Sequence, residues 1–85
     1  MRLTIYSKPG CHLCDEMKST VHRVLSTRSA EPAISVDEID ISSDPALIDR
    51  YGLEIPVLLI DGRKAAKYRV SEEELRRMLD GRMGS

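Results

Sequence analysis

The sequence predicts one three-layer α/β domain, in the order strand, helix, strand, helix, hairpin, helix. Three observations lead there. An alternating N-terminal stretch carrying Leu3 and Ile5 passes through a Pro-Gly turn into helical periodicity, then into a second β-branched stretch. A strand–helix–strand unit of this kind makes a parallel pair with a right-handed crossover. Further on, the apolar run Val57-Leu58-Leu59-Ile60 meets Asp61-Gly62, a hairpin signal. A third helical pattern closes the chain, and two helices on one sheet face with one on the other complete three layers. At 85 residues there is room for one core and no more.

Each element has its own warrant. Arg2 to Tyr6 alternates, with Leu3 and Ile5 on one face, and Ser7-Lys8-Pro9-Gly10 breaks the strand. Cys14, Met17, Val21, Val24 and Leu25 then fall near helical spacing, which predicts a helix from Cys11 to Thr27 or Arg28. Glu31-Pro32 ends that region. Ile34, Val36, Ile39 and Ile41 supply the second strand, with a bulge or an early end expected because Val36 and Ile39 differ in parity. Asp44-Pro45 opens the second helix as an N-cap acceptor followed by proline at the first helical position. That helix reaches Tyr51, with Gly52 expected as its left-handed C-terminal residue. Val57 to Ile60 reads as a short buried strand and Lys64 to Tyr68 as its returning partner. Ser71 and Glu74 form a capping box, and the last helix runs through Leu75, Met78 and Leu79 to Gly81. Residues 1–81 are thus expected to form a single domain and residues 82–85 a flexible tail.

Composition excludes several functions. Apolar residues make up 41% and charged residues 32%, a balance typical of a folded soluble protein. A net charge of −1 offers no bulk grip on nucleic acid or acidic membranes. No apolar run approaches the roughly 18 residues of a membrane span. The N-terminus enters its strand without the apolar block of a signal peptide, so the cytosol is the expected compartment.

The chemistry is expected from Cys11-His12-Leu13-Cys14. A bridge across so short a loop barely restrains the unfolded chain, so the pair reads as chemical rather than structural. Cys11 at a helix start sits among unpaired backbone N–H groups and the positive end of the dipole. Both favour the thiolate, the attacking species. Lys8 is placed to add positive charge from the turn. Cys14 follows by nearly one turn and can reach back, so Cys11 attacks a substrate disulfide and Cys14 resolves the mixed one. A zinc site is the competing reading of a Cys-x-x-Cys pair, but only His12 and His22 remain as strong further ligands. His12 lies between the cysteines and His22 about two helical turns beyond them. His12 either tunes the thiolate or stands by as an exposed side chain.

The segment Ile5-Tyr6-Ser7-Lys8-Pro9-Gly10-Cys11-His12-Leu13-Cys14, with the later Ile55-Pro56-Val57, resembles the glutaredoxins of the thioredoxin superfamily. The Cys-x-Leu-Cys form is similar to their small glutaredoxin-like members. The resemblance spans nearly the whole chain. It implies a β-α-β-α-β-β-α fold with a four-stranded mixed sheet between helices. It also implies a thiol–disulfide oxidoreductase reducing protein or glutathione mixed disulfides, in electron transport and cell redox homeostasis. Cys11 would be the nucleophile and Cys14 the resolving thiol. Pro56 would be a cis-proline facing the sulfurs, Ile55 would pair its backbone with a bound thiol peptide, and Lys8 would approach the glycine carboxylate of glutathione. No bound cofactor or metal is implied. Electrons would come from glutathione or a thioredoxin reductase, and a monomer is the simplest state.

The departures matter as much. Glutaredoxins carry Pro and Tyr between the cysteines, where this chain has His12 and Leu13. Their Gly-Gly pair and following acidic or polar pair hold the γ-glutamyl end of glutathione. Here that stretch reads Lys64-Ala65-Ala66-Lys67-Tyr68-Arg69-Val70-Ser71. Members without that site are reduced by a flavin-dependent thioredoxin reductase. Two other classes stay open: an iron–sulfur or metal carrier using the cysteines, and a non-catalytic adaptor that keeps the fold and binds through the Ile55 edge.

Overall fold

The structure, a computed structural model, describes residues 1–27 and 34–83. Strand β1 (Arg2–Ser7) leads into α1 (His12–Ser26), β2 (Ser35–Asp40) and α2 (Pro45–Tyr51). Strands β3 (Val57–Ile60) and β4 (Arg63–Lys67) follow, then α3 (Glu72–Met83). The strands make one mixed sheet in the order β2-β1-β3-β4, the four-stranded sheet expected. β1 and β2 are parallel, and β3 runs antiparallel to β1 and β4. The expected break at Glu31-Pro32 and the residues 84–85 of the expected tail lie outside the described residues.

Alternation along β1 and β3 sorts the two faces of the sheet. Leu3, Ile5, Leu58 and Ile60 are wholly buried with Met17, Val21 and Val24 of α1 and Leu75 and Leu79 of α3. Each such side chain contributes about 1.5–3 kcal/mol. Tyr6, Val57 and Leu59 point the other way and pack with Leu47 and Tyr51 of α2. Two helices therefore cover one face and one short helix the other.

Three local expectations are corrected. The β1–β2 register runs unbroken from Arg2–Ser35 to Ser7–Asp40, so β2 has no bulge and Val36 and Ile39 serve opposite faces of an edge strand, which ends at Asp40 with Ile34 and Ile41 outside it. The irregularity falls instead between Leu58 and Leu59, where β4 carries one extra residue. Gly52 is right-handed, at φ −56° and ψ −29°. Its glycine is required by close approach, because a Cβ there would collide with the Ile48 carbonyl. The returning strand ends at Lys67 rather than Tyr68, which lies outside it at φ 68°.

The helix ends follow the capping logic. Asp44 Oδ1 accepts the N–H groups of Ala46 and Leu47 at 3.0 and 3.3 Å, with Pro45 opening α2. Ser71 Oγ accepts the Glu74 N–H at 3.0 Å while Glu74 Oε1 accepts the Ser71 N–H at 3.4 Å, a reciprocal capping box. α3 passes through Gly81 to Met83 instead of stopping there. A glycine costs a helix only about 1 kcal/mol, too little to end it alone.

Candidate active site

The strand directions bring three segments to one end of the sheet. They are the C-terminal end of β1, the N-terminal end of β3 and the C-terminal end of β4. Past β1, Lys8 and Pro9 are exposed and Gly10 turns at φ 76° into α1. Cys11 is the N-cap of α1, at φ −91° and ψ 111°. Its Sγ accepts the Cys14 N–H at 3.2 Å, and its carbonyl accepts the Asp15 N–H at 3.1 Å. Cys11 and Cys14 are joined by a disulfide, their Cα atoms 5.2 Å apart. Cys11 is half-buried, whereas Cys14 is wholly enclosed. An incoming sulfur therefore meets Cys11 first. A backbone N–H aimed at that sulfur, at the positive end of α1, favours negative charge on it.

The Ile55–Pro56 peptide is cis, in keeping with the resemblance, and Pro56 is buried at the opening of β3. Tyr6 stands opposite Val57, the last pair of the β1–β3 ladder. The Asp61 N–H bonds the Arg2 carbonyl at 2.8 Å, so in an alternating antiparallel ladder the next hydrogen-bonded pair would join Lys8 to Ile55. The chain turns away at Lys8 and Pro9 before forming it. Among the described residues the Ile55 N–H and C=O are left without a partner, at the sheet end that carries Cys11.

The flank of this edge is built by groups from α2, β4 and the loop between α2 and β3. Glu54 Oε1 receives Lys64 Nζ at 2.7 Å and Lys67 Nζ at 3.7 Å. The hydrogen bond from Lys64, outweighing desolvation and aided by both ammonium charges, holds the Glu54 carboxyl below the ordinary glutamate range. Tyr6 stacks on Tyr51 with ring centroids 4.7 Å apart. Tyr68 donates its hydroxyl to the Leu53 carbonyl at 3.1 Å and its N–H to the Pro56 carbonyl at 2.8 Å. Leu53 is 93% exposed and Tyr68 43%.

Neither histidine forms a hydrogen bond to Cys11 or Cys14 among the described residues. His12 is exposed and opens a groove of about 590 Å³ that runs along α1 past Asp15, Glu16, Ser19, Thr20 and Arg23. His22 lies beside Glu38 of β2, its Nε2 3.8 Å from the carboxylate. Among the described residues no three His, Cys, Asp or Glu side chains gather as a metal site. No helix of these residues is long and apolar enough to cross a membrane.

A family model for the glutaredoxin-like domain (DUF836) matches residues 2–80. The chain belongs to this glutaredoxin-like family. It is 25% identical over 77 residues to the glutaredoxin-like protein YDR286C homolog of Dictyostelium discoideum, covering 88% of this chain and 71% of that one. The glutaredoxin-like chain is also similar to the X. campestris protein XcR50, at 31% identity and a TM-score of 0.74. That likeness covers 93% of this chain and 96% of XcR50. A mutant thioredoxin from Halobacterium salinarum matches at 22% identity and a TM-score of 0.59, over 94% of this chain and 72% of its own. The last likeness concerns fold alone. This glutaredoxin-like protein has the thioredoxin fold.

Sequence reasoning missed Tyr68, Leu53 and Glu54 as neighbours of the site. A signal for Tyr68 existed in the Asp61-Gly62 turn, from which pairing can be counted back towards Pro56. Counting without the bulge gives Lys67 instead.

Proposed function

We propose that the protein is a thiol–disulfide oxidoreductase that reduces protein or glutathione mixed disulfides by cycling Cys11 and Cys14. The observation that carries this reading is the asymmetry of the pair. A half-buried N-cap sulfur receives a backbone N–H, and a wholly enclosed partner sits within bonding reach of it. Membership of the glutaredoxin-like family supports it.

In the reduced protein the Cys11 thiolate attacks one sulfur of the substrate disulfide. The substrate S–S bond breaks, the first substrate thiolate leaves and takes a proton, and a mixed disulfide forms on Cys11. The Cys14 thiol then loses its proton, attacks Cys11 Sγ and expels the second substrate thiolate. Two electrons have passed to the substrate, leaving the Cys11–Cys14 disulfide. Glutathione or a flavin-dependent thioredoxin reductase returns them, in a reducing compartment such as the cytosol. The unpartnered N–H and C=O of Ile55 hold the substrate backbone beside Cys11 as a short added strand, and Lys8, in the turn before Cys11, offers its ammonium to a carboxylate.

The test is trapping. Cys14→Ser is expected to accumulate a mixed disulfide at Cys11 when mixed with a disulfide substrate, read as an added mass in intact-protein mass spectrometry. Cys11→Ser is expected to give neither adduct nor turnover. Turnover by Cys11→Ser, or no adduct on Cys14→Ser, overturns the assignment.

A further inference from the structure

Tyr68 combines features that an ordinary loop tyrosine lacks. Its φ of 68° lies in the left-handed region, which a bulky side chain rarely adopts and which glycine occupies freely. Such a conformation persists only where the surroundings over-determine it. Here three contacts do so. The Tyr68 N–H bonds the Pro56 carbonyl at 2.8 Å, its hydroxyl bonds the Leu53 carbonyl at 3.1 Å, and the Lys67 ammonium lies 5.5 Å from its ring centroid. The two hydrogen bonds bracket Glu54 and Ile55 from both sides. The ring is thus fastened along the segment that offers its open backbone groups at the sheet end of Cys11.

The surroundings then say what suits that edge. With Ile48, Leu53 and Tyr68 are the exposed large apolar side chains among the described residues, and these two residues are joined through the hydroxyl bond. The nearby cations Lys64 and Lys67 are already engaged by the Glu54 carboxylate. A ligand rich in carboxylates, such as glutathione disulfide, must therefore compete with Glu54 for both ammonium groups. An extended peptide instead matches each feature: its backbone meets the Ile55 N–H and C=O, and an apolar side chain beside its cysteine meets the rim.

Resting on the oxidoreductase reading, we propose that Tyr68, with Leu53, is the specificity-determining residue of the site. It makes the Ile55 edge select an extended protein segment with an apolar residue next to its disulfide, in preference to glutathione disulfide. In each such reaction the Cys11–Cys14 dithiol gives two electrons to the segment's disulfide, which becomes two thiols, and the protein becomes the disulfide.

The experiment compares second-order rates for the fully reduced protein with three oxidants. These are glutathione disulfide, a disulfide-linked dimer of a short Leu-Cys-Leu peptide, and the same dimer with serine replacing leucine. The parent protein is expected to favour the leucine dimer over both others by about ten-fold, the worth of partly burying one leucine side chain. Tyr68→Gly relaxes the backbone while deleting the ring, and Leu53→Ser changes a side chain in open solvent, so one or other variant folds. In both, the preference is expected to vanish through a slower reaction with the leucine dimer alone. A preference unchanged in both folded variants overturns the proposal. A parent that reacts with all three at one rate also overturns it, yet leaves the oxidoreductase reading standing. A parent that reacts with none overturns both.

Discussion

Cys11 owes its character to one dihedral choice. As the N-cap it holds an extended conformation while its sulfur receives the Cys14 N–H, so the positive end of α1 is spent on that atom. Next to Ile55 in the chain, Glu54 performs the opposite service by holding two lysines on one carboxylate, which offsets one of their two charges. Its carboxyl is held low mainly by the hydrogen bond from Lys64. A depressed folded-state value means the stabilisation is fully present above the unfolded glutamate pKa and is lost as pH falls through the folded one. The Glu54 carboxyl is therefore expected to titrate below ordinary glutamates in an NMR titration. Lys64→Met is expected to raise its midpoint towards the ordinary range, and added salt to raise it in the parent, because the pair is partly exposed. An unmoved midpoint in Lys64→Met removes Lys64 as the cause.

At the scale of elements, the capping and turn residues were legible because their signals are local. Asp44, Pro45, Ser71, Glu74 and the Asp61-Gly62 turn all act where the sequence places them; both turn residues take positive φ, 50° and 83°. Gly52 and Gly81 misled because a glycine at a helix end has several uses. Gly52 answers the Ile48 carbonyl, and Gly81 lies within α3 with nothing within 4 Å of where an added methyl group would stand. Gly81→Ala is accordingly expected to stabilise the protein by about 0.5–1 kcal/mol, read as a higher denaturant midpoint with an unchanged slope. A lower midpoint shows that a contact other than the helix's own governs that position. The bulge was illegible for a different reason. It brings Lys64 and Lys67, three residues apart, onto one face with Leu59 and Val57, an arrangement strict alternation forbids.

Over the whole molecule, the core of β1, β3, α1 and α3 is complete without the disulfide, which closes a separation of only 3 residues. In the chain-entropy picture such a short loop contributes about 2 kcal/mol at most, against a total of about 5–15 kcal/mol for a typical domain. Reduction is therefore expected to leave the far-ultraviolet circular dichroism unchanged and to lower the denaturant midpoint only modestly. Unfolding on reduction contradicts this assignment of stability to the core. The sequence by itself determined the element order, the inner and outer residues of the main core, and the cysteine pair at a helix start. Those follow from periodicity, capping and turn chemistry, each a property of neighbouring residues. Only the tertiary structure decided that Tyr68 rather than Lys67 stands opposite Pro56, and that Glu54 gathers both lysines. One extra residue in β4 makes that decision, and its place depends on how β3 and β4 settle against the helices, which no local pattern records.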